Sequence, residues 1–293
     1  MRVTTTQIYD NLLGGVNKQL QIQAKGTEQI SSGTRFQRPS EAGLDYKVSL
    51  DLRHAKVGVQ GSLEAIGISE SRLGASQTML NDMSNLLVRA QTLAVQQASA
   101  QIGPTERQSA AQEVSHLLNQ FANNANAQWQ GQSLFSGTAV DKPAFTADIA
   151  GNYSYTGNQQ DRLIAISDGQ SLSSNIRGDD PTFLAAFSAL KSFETALLNN
   201  DTAGINTALG ALNNAGNAAI NLTSEVGGRL SAISVMRTSY EDMQFTLDQS
   251  INRHEAVDIP AVVAQLQQSS IALQASYKQI SDIKNLSLMN FLR

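Results

Sequence analysis

Apolar residues recur at helical spacing at both ends of this chain. Near the start Tyr9, Leu13, Val16, Leu20, Gln23, Thr27 and Ile30 alternate four and three apart. Near the end Ile259, Leu266, Leu273 and Ile280 fall seven apart, with Val262, Val263, Tyr277 and Ile283 beside them. A repeat of about 3.5 residues gathers such side chains into one stripe, which another helix must cover. The pattern predicts a first helix over about residues 6–31 and a last one starting at Asp258 and Pro260. Their stripes are suited to each other and to neighbouring copies. Gly14, Gly15 and Gly26 lie inside the first helix, and each costs about 1 kcal/mol against alanine, so this helix is weak alone.

Between them, Pro39 breaks the first helix and Ser40 stands where it can cap the next. A long helical stretch follows over about 41–101. Ile66, Leu73, Leu80 and Leu87 recur every seventh residue, and Met79, Leu86 and Leu93 form a second row. Gly58, Gly61, Gly67 and Gly74 predict a kink or break in its first half. Gly103-Pro104 ends it, and Thr105 with Gln108 reads as a capping box. Val114, Leu117, Leu118, Phe121, Ala125 and Trp129 mark the return helix of an antiparallel hairpin. From about 132 to 180 the period shortens. Tyr153 and Tyr155 alternate, Leu163-Ile164-Ala165-Ile166 is β-prone, and Gly157-Asn158 and Asp168-Gly169 are turn signals. Helix resumes where Asp180 caps and Pro181 opens a face of Phe183, Leu184, Phe187, Leu190, Phe193, Leu197 and Leu198. Another helix covers about 202–254, with Ile220, Val226, Leu230, Ile233 and Met236 inward.

The fold class expected is mainly α. It is an elongated rod, an antiparallel helical bundle or coiled coil formed by the N- and C-terminal halves, with a small β-rich inserted domain. Residues 1–40 and 260–293 form terminal, assembly-coupled helices. Residues 41–131 and 181–259 form the rod. Residues 132–180 form the insert, at the end opposite the termini.

Composition sharpens this picture. Aromatic residues make up 5% of the 293 residues, which suits thin helical layers better than a large globular core. The absence of cysteine removes disulfides, thiolate metal sites and cysteine nucleophiles together. The net charge of −4 is uneven: residues 1–40 carry +3, residues 260–293 carry +2, and the remainder carries −9. The ends are therefore suited to an acidic partner surface. No block of bases is dense enough for nucleic acid, no run is apolar enough to span a membrane, and the start lacks the apolar stretch of a cleavable signal peptide.

Chemistry is sparse. His54, His116 and His254 are widely spaced, and no phosphate-binding glycine motif follows a strand. Asp179-Asp180 before a proline reads as a helix cap rather than an acid–base pair. Met79 and Met83 read as core, as does Trp129. No catalytic, cofactor or metal-binding residue is predicted. The enzymatic alternative, a hydrolase around Asp141–Asp180, requires a deep pocket with convergent polar groups.

Several segments resemble one known family in order along the whole chain. Met1-Arg2-Val3-Thr4-Thr5-Thr6-Gln7-Ile8-Tyr9-Asp10-Asn11-Leu12 resembles the opening of the flagellar hook-associated protein 3 family, which is related to flagellin. Gln29-Ile30-Ser31-Ser32-Gly33-Thr34-Arg35-Phe36 with Arg38-Pro39-Ser40 is similar to the link between its first two helices. Gln130-Gly131-Gln132-Ser133-Leu134-Phe135-Ser136-Gly137 resembles the exit from its rod. Glu255-Ala256-Val257-Asp258-Ile259-Pro260-Ala261 and Leu286-Ser287-Leu288-Met289-Asn290-Phe291-Leu292 resemble its C-terminal helix. The resemblance implies a structural protein joining hook to filament outside the cell. It implies type III export without signal cleavage, and as partners further copies of itself, hook-associated protein 1, flagellin and an export chaperone. A flagellin-type filament subunit is the alternative.

Burying an apolar side chain stabilises by about 1.5–3 kcal/mol, against about 1–2 kcal/mol of backbone entropy per ordered residue. Terminal helices with one narrow stripe should therefore be mobile in the monomer and ordered in the assembly. The residues expected to carry subunit and chaperone packing are Tyr9, Leu13, Val16, Leu20, Ile30, Leu266, Leu273, Tyr277, Ile280, Ile283, Leu288 and Phe291.

Overall fold

The computed structural model describes residues 5–167 and 170–289. In order these form α1 (Thr5–Ser32), α2 (Pro39–Ala42), α3 (Leu44–Gln97) and α4 (Pro104–Ala125). Next come β1 (Gln128–Trp129), β2 (Gln132–Ser133), β3 (Phe145–Ala147), β4 (Tyr153–Tyr155), β5 (Leu163–Ser167) and β6 (Gln170–Ser173). The chain ends in α5 (Pro181–Leu198), α6 (Thr202–Glu255) and α7 (Ile259–Met289). It divides into two compact units, one of Val59–Asp242 and one of Met1–Gly58 with Met243–Arg293.

α3 runs unbroken for 54 residues, without the break its glycines suggested. Gly58, Gly61, Gly67 and Gly74 face open space, while Ile66, Leu73, Leu80 and Leu87 are all buried. Tertiary packing of that stripe outweighs a propensity cost of about 1 kcal/mol per glycine.

Within Val59–Asp242, α3 and α6 run antiparallel. Arg237 of α6 pairs with Glu70 at 2.9 Å, and the Gln91 amide donates to the Leu212 carbonyl at 3.0 Å. α4 and α5 pack on each other and complete one continuous core. α6 contributes Ile205, Ala208, Leu212, Ala215, Ala219, Leu222, Val226 and Ile233. That three-and-four spacing leaves Ile220 one position off the seam and exposed, contrary to its expected inward place. Leu184 and Leu198 of α5 are likewise outside the core.

Two caps differ from expectation. α4 begins at Pro104 with Gly103 as N-cap and no side-chain cap, so Thr105 and Gln108 form no capping box. Proline at the first helical position has no N–H to satisfy, which lets the helix start one residue early. Ser40 does not cap α3. It sits inside the single turn of α2, where the Glu41 carboxylate accepts from the Gln37 N–H at 2.8 Å. Gly43, at φ +47°, turns the chain into α3. Asp180 caps α5 as expected, accepting from the Thr182 N–H at 2.9 Å.

The β segment is three separate antiparallel ribbons rather than one sheet: β1 with β2, β3 with β4, and β5 with β6. Gln130 and Gly131 both have positive φ, the geometry of a tight two-residue hairpin. The turn signal at Asp168-Gly169 lies outside the described residues. The ribbons share the helical core. The Phe145 ring lies 5.4 Å from Phe183 and 5.2 Å from Phe187, and Tyr153 stacks on Phe187 at 4.3 Å. The few aromatic residues are concentrated at this junction.

Sequence order suggested that the insert forms one end of the helical body. Within Val59–Asp242 the end away from residues 59 and 242 is instead made by the two helix links, residues 98–103 and 199–201. Arg107, buried, ties them together. It donates to the Asn200 side-chain oxygen at 2.5 Å and to the Ser99 carbonyl at 2.9 Å. α4 then carries the chain back by about 33 Å at 1.5 Å per residue. The insert therefore lies alongside α3 and α6. Arg72 of α3, 1% exposed, donates to the Ser133 carbonyl at 2.5 Å. Arg229 of α6 donates to the Asn175 carbonyl at 3.1 Å. Among the described residues no carboxylate is paired with Arg72. Burial, with added repulsion from Arg162, lowers its pKa to about 10, so it stays charged at neutral pH.

Candidate functional site

The candidate site is the pair of terminal helices and the links that carry them, all within Met1–Gly58 with Met243–Arg293. α1 and α7 pack along each other. The fully buried positions of their seam, among the described residues, are Val16, Gly26, Val262, Ser269 and Leu273. Gly26 is there for space. A Cβ on it would stand 2.8 Å from Leu266 Cδ2 and 3.3 Å from Val262 Cγ1. The Ser269 hydroxyl donates to the Gln19 carbonyl at 3.1 Å, a polar tie that fixes the register of the two helices.

The expected packing residues divide between two faces. Val16 and Leu273 are buried in the seam; Tyr9, Ile30, Leu266, Ile280 and Ile283 are half-buried. Leu13 and Leu20 (45% exposed) and Tyr277 (52% exposed) face outward. Leu288 is described only as helical backbone, and Phe291 lies outside the described residues. The outward face also includes Ile8, Ile259, Val263 and Ile271. α1 and α7 thus cover one narrow stripe on each other and leave a second apolar stripe uncovered. Spacing alone ran the two together, because positions 13 and 16 are three apart in either reading.

The links meet in a compact knot that the sequence reading missed. Thr34 and Ala256 form an antiparallel bridge. The Arg35 N–H donates to the Glu255 carbonyl at 2.7 Å, and the Val257 N–H to the Gly33 carbonyl at 3.2 Å. Glu255 is buried at the last position of α6. Its carboxylate accepts from the Arg53 guanidinium through both oxygens, at 2.7 and 2.5 Å, and from the Ser49 hydroxyl. The Arg53 bonds hold this carboxylate below its usual range, against burial, which raises it. Arg35 adds a 2.7 Å ion pair to Asp45. Asp258 starts α7, accepting from the Ala261 N–H at 3.1 Å. The sequence signal was Glu255 at an apolar register position, which gains meaning only once its partners from α3 arrive.

Three carboxylates of the insert are committed to structural contacts. Asp179 pairs with Arg177 at 3.0 Å, Asp161 lies 3.5 Å from the same guanidinium, and Asp180 is the α5 cap. Among the described residues no cluster of His, Asp and Glu could hold a metal ion.

Long paired terminal helices, a helical body and a small β insert define a flagellin-like helical fold. Residues 3–140 match the bacterial flagellin N-terminal helical region. The fold is that of a putative flagellar hook-associated protein from Vibrio parahaemolyticus. That structure aligns with a TM-score of 0.66 at 19% identity, over 74% of this chain and 100% of that one.

Within that class the full-length similarity is to flagellar hook-associated protein 3. The Salmonella typhimurium protein is 23% identical over 319 residues, spanning 100% of both chains. Flagellin of Clostridium tyrobutyricum matches over 132 residues at 26% identity, 45% of this chain and 35% of that one. The relatives that match along the whole chain are named as flagellar hook-associated proteins, and the partial match is named as a flagellin. Among the described residues no helix is long and apolar enough to cross a membrane.

Proposed function

We propose that this chain joins the hook to the flagellin filament as the hook–filament junction component outside the cell. The observation that carries the reading is the second apolar stripe on the terminal helices, with Leu13, Leu20, Ile271 and Tyr277 left in water. Exposed side chains at heptad spacing are what a neighbouring helix covers. Residues 1–40 and 260–293 act as assembly-coupled helices. They meet further copies of this chain, hook-associated protein 1 on one side and flagellin on the other. Before secretion an export chaperone covers the stripe of α7, and export proceeds without signal cleavage.

The seam between α1 and α7 is thin and partly polar, so the pair has low local stability in the monomer and gains it on assembly. Hydrogen exchange should be fast in α1 and α7 of the monomer and slow in flagella; equal protection of these helices and of α3–α6 in the monomer would refute this. Cells lacking the gene should build hooks but release flagellin into the medium. Leu20→Asp, on the outer stripe, should reproduce that loss with unchanged helicity of the purified chain. Normal filaments with Leu20→Asp would remove the outer stripe from the junction.

A further inference from the structure

Within Val59–Asp242 two arginines meet where no carboxylate offsets them. The side-chain oxygen of Gln132 on β2 accepts from Arg162 Nη1 at 3.0 Å and, more weakly, from Arg72 Nη1 at 3.4 Å. Arg89, Arg177, Arg229 and Arg237 of the same unit each pair with an acid. Asp161, beside Arg162 in the chain, is turned to Arg177 at 3.5 Å. Among the described residues neither Arg72 nor Arg162 has such a partner. Arg72 is fully buried, and its Nε has no hydrogen-bond partner. With a pKa of about 10 it keeps its proton at neutral pH. Arg162, in contact with water, is charged as any accessible arginine is. The cluster therefore holds two positive charges.

Its donors exceed its acceptors. Arg162 uses one of its five side-chain N–H groups, on Gln132. The two guanidinium groups pin the oxygen of the Gln132 amide, and the NH2 group of that amide has no acceptor within the chain. An amide oxygen and nitrogen are about 2.3 Å apart, so this NH2 lies within about 5 Å of Arg162 Nη1. Gln132 and Arg162 are both half-buried, which leaves these donors open to solvent. Arg162 is also held in place. Its N–H donates to the Asn175 side-chain oxygen at 2.8 Å, and its carbonyl accepts from the Ser174 N–H and hydroxyl, both at 2.8 Å. Donors fixed before a ligand arrives cost little ordering on binding.

We propose that Arg162 and the Gln132 amide bind a doubly charged tetrahedral oxyanion, sulfate or hydrogen phosphate, with Arg72 supplying the second charge from behind. Two oxygens of one such anion can accept from donors about 5 Å apart at ordinary hydrogen-bond length. A dianion neutralises both guanidinium charges, whereas a single carboxylate leaves one unmatched. The same chemistry serves a free ion or a phosphate monoester. This site is independent of the terminal helices and of the junction reading.

Isothermal titration calorimetry on the purified full chain tests it, with sulfate, inorganic phosphate, glycerol 3-phosphate, acetate and chloride compared at matched ionic strength. Sulfate and phosphate should bind saturably, and acetate and chloride far more weakly. Saturable binding of glycerol 3-phosphate without sulfate would support the esterified form of the ligand. Arg162→Gln should weaken oxyanion binding roughly tenfold or more, the loss expected for a charged hydrogen bond. Gln132→Glu keeps the proposal testable should Arg162→Gln fold poorly. It places a carboxylate among the two guanidinium groups, so it should abolish oxyanion binding and raise the melting temperature in oxyanion-free buffer. No saturable binding of any of the three tetrahedral anions, equal binding by Arg162→Gln, or acetate binding as tightly as sulfate overturns the site. So does a Gln132→Glu chain that melts no higher than the unaltered one.

Discussion

Three glycines of α1 offer the sharpest test of how its two faces are used. Gly14 and Gly15 have open space around a built Cβ, whereas a Cβ on Gly26 would press to 2.8 Å from Leu266 Cδ2 and 3.1 Å from its Cγ. Alanine for glycine in a helix interior stabilises by about 0.8–1.0 kcal/mol. At Gly14 and Gly15 nothing opposes that gain. At Gly26 overpacking costs about 1–3 kcal/mol. The Leu266 tip can rotate away, but its Cγ moves only if the helices separate. Gly26→Ala should therefore destabilise the α1–α7 pair by about 1 kcal/mol, the propensity gain being more than offset. The assay is amide hydrogen exchange on the monomer. About 1 kcal/mol is roughly a fivefold change in the open population. Exchange should accelerate by that factor in α1 and α7 together for Gly26→Ala, and slow in α1 for Gly14→Ala. The close-approach argument is wrong if Gly26→Ala protects α1 as well as Gly14→Ala does. It is also wrong if α7 is unaffected.

Other expectations follow from the polar ties. Glu255→Ala should cost about 1–2 kcal/mol, toward the low end for charged hydrogen bonds because the half-exposed Arg53 returns to water; denaturant midpoints measure it. Because its folded pKa is depressed below the ordinary 4.5, the contribution of Glu255 is complete above that pH. It is lost as pH falls through the depressed value. The gap in midpoint between the unaltered chain and Glu255→Gln should thus narrow from pH 7 to pH 3, and a constant gap would refute the assignment. Arg107→Met keeps the volume but loses the donors to Ser99 and Asn200. It should cost about 3 kcal/mol, with early exchange confined to the links at 98–103 and 199–201. A melting temperature equal to that of the unaltered chain would show that the clamp contributes nothing.

Much of the architecture is written in residue spacing. The heptads of α3, the aromatic face of α5, the Asp180 and Asp258 caps and the change of period at the insert each express a local rule about how apolar or capping side chains meet their own backbone. Such rules need no knowledge of what lies across the core, so they survive folding unchanged. Absence of cysteine, sparse histidines and matching terminal stripes likewise pointed to a structural part rather than a catalyst.

What the chain packs against, by contrast, is decided only in three dimensions. Gly26 reads in one dimension as a weakness in a helix, and in the fold it is the space through which α7 approaches. Arg72 and Arg107 carry no signal in the apolar spacing and are buried clamps, because Ser133 and Asn200, which accept from them, lie 61 and 93 residues away, where no local pattern couples to them. Leu13 and Val16 share one periodic stripe, yet one faces solvent and the other faces α7. Periodicity fixes which residues lie on neighbouring turns. Which of two adjacent faces is covered depends on where the partner helix arrives, and that is a property of the tertiary structure alone.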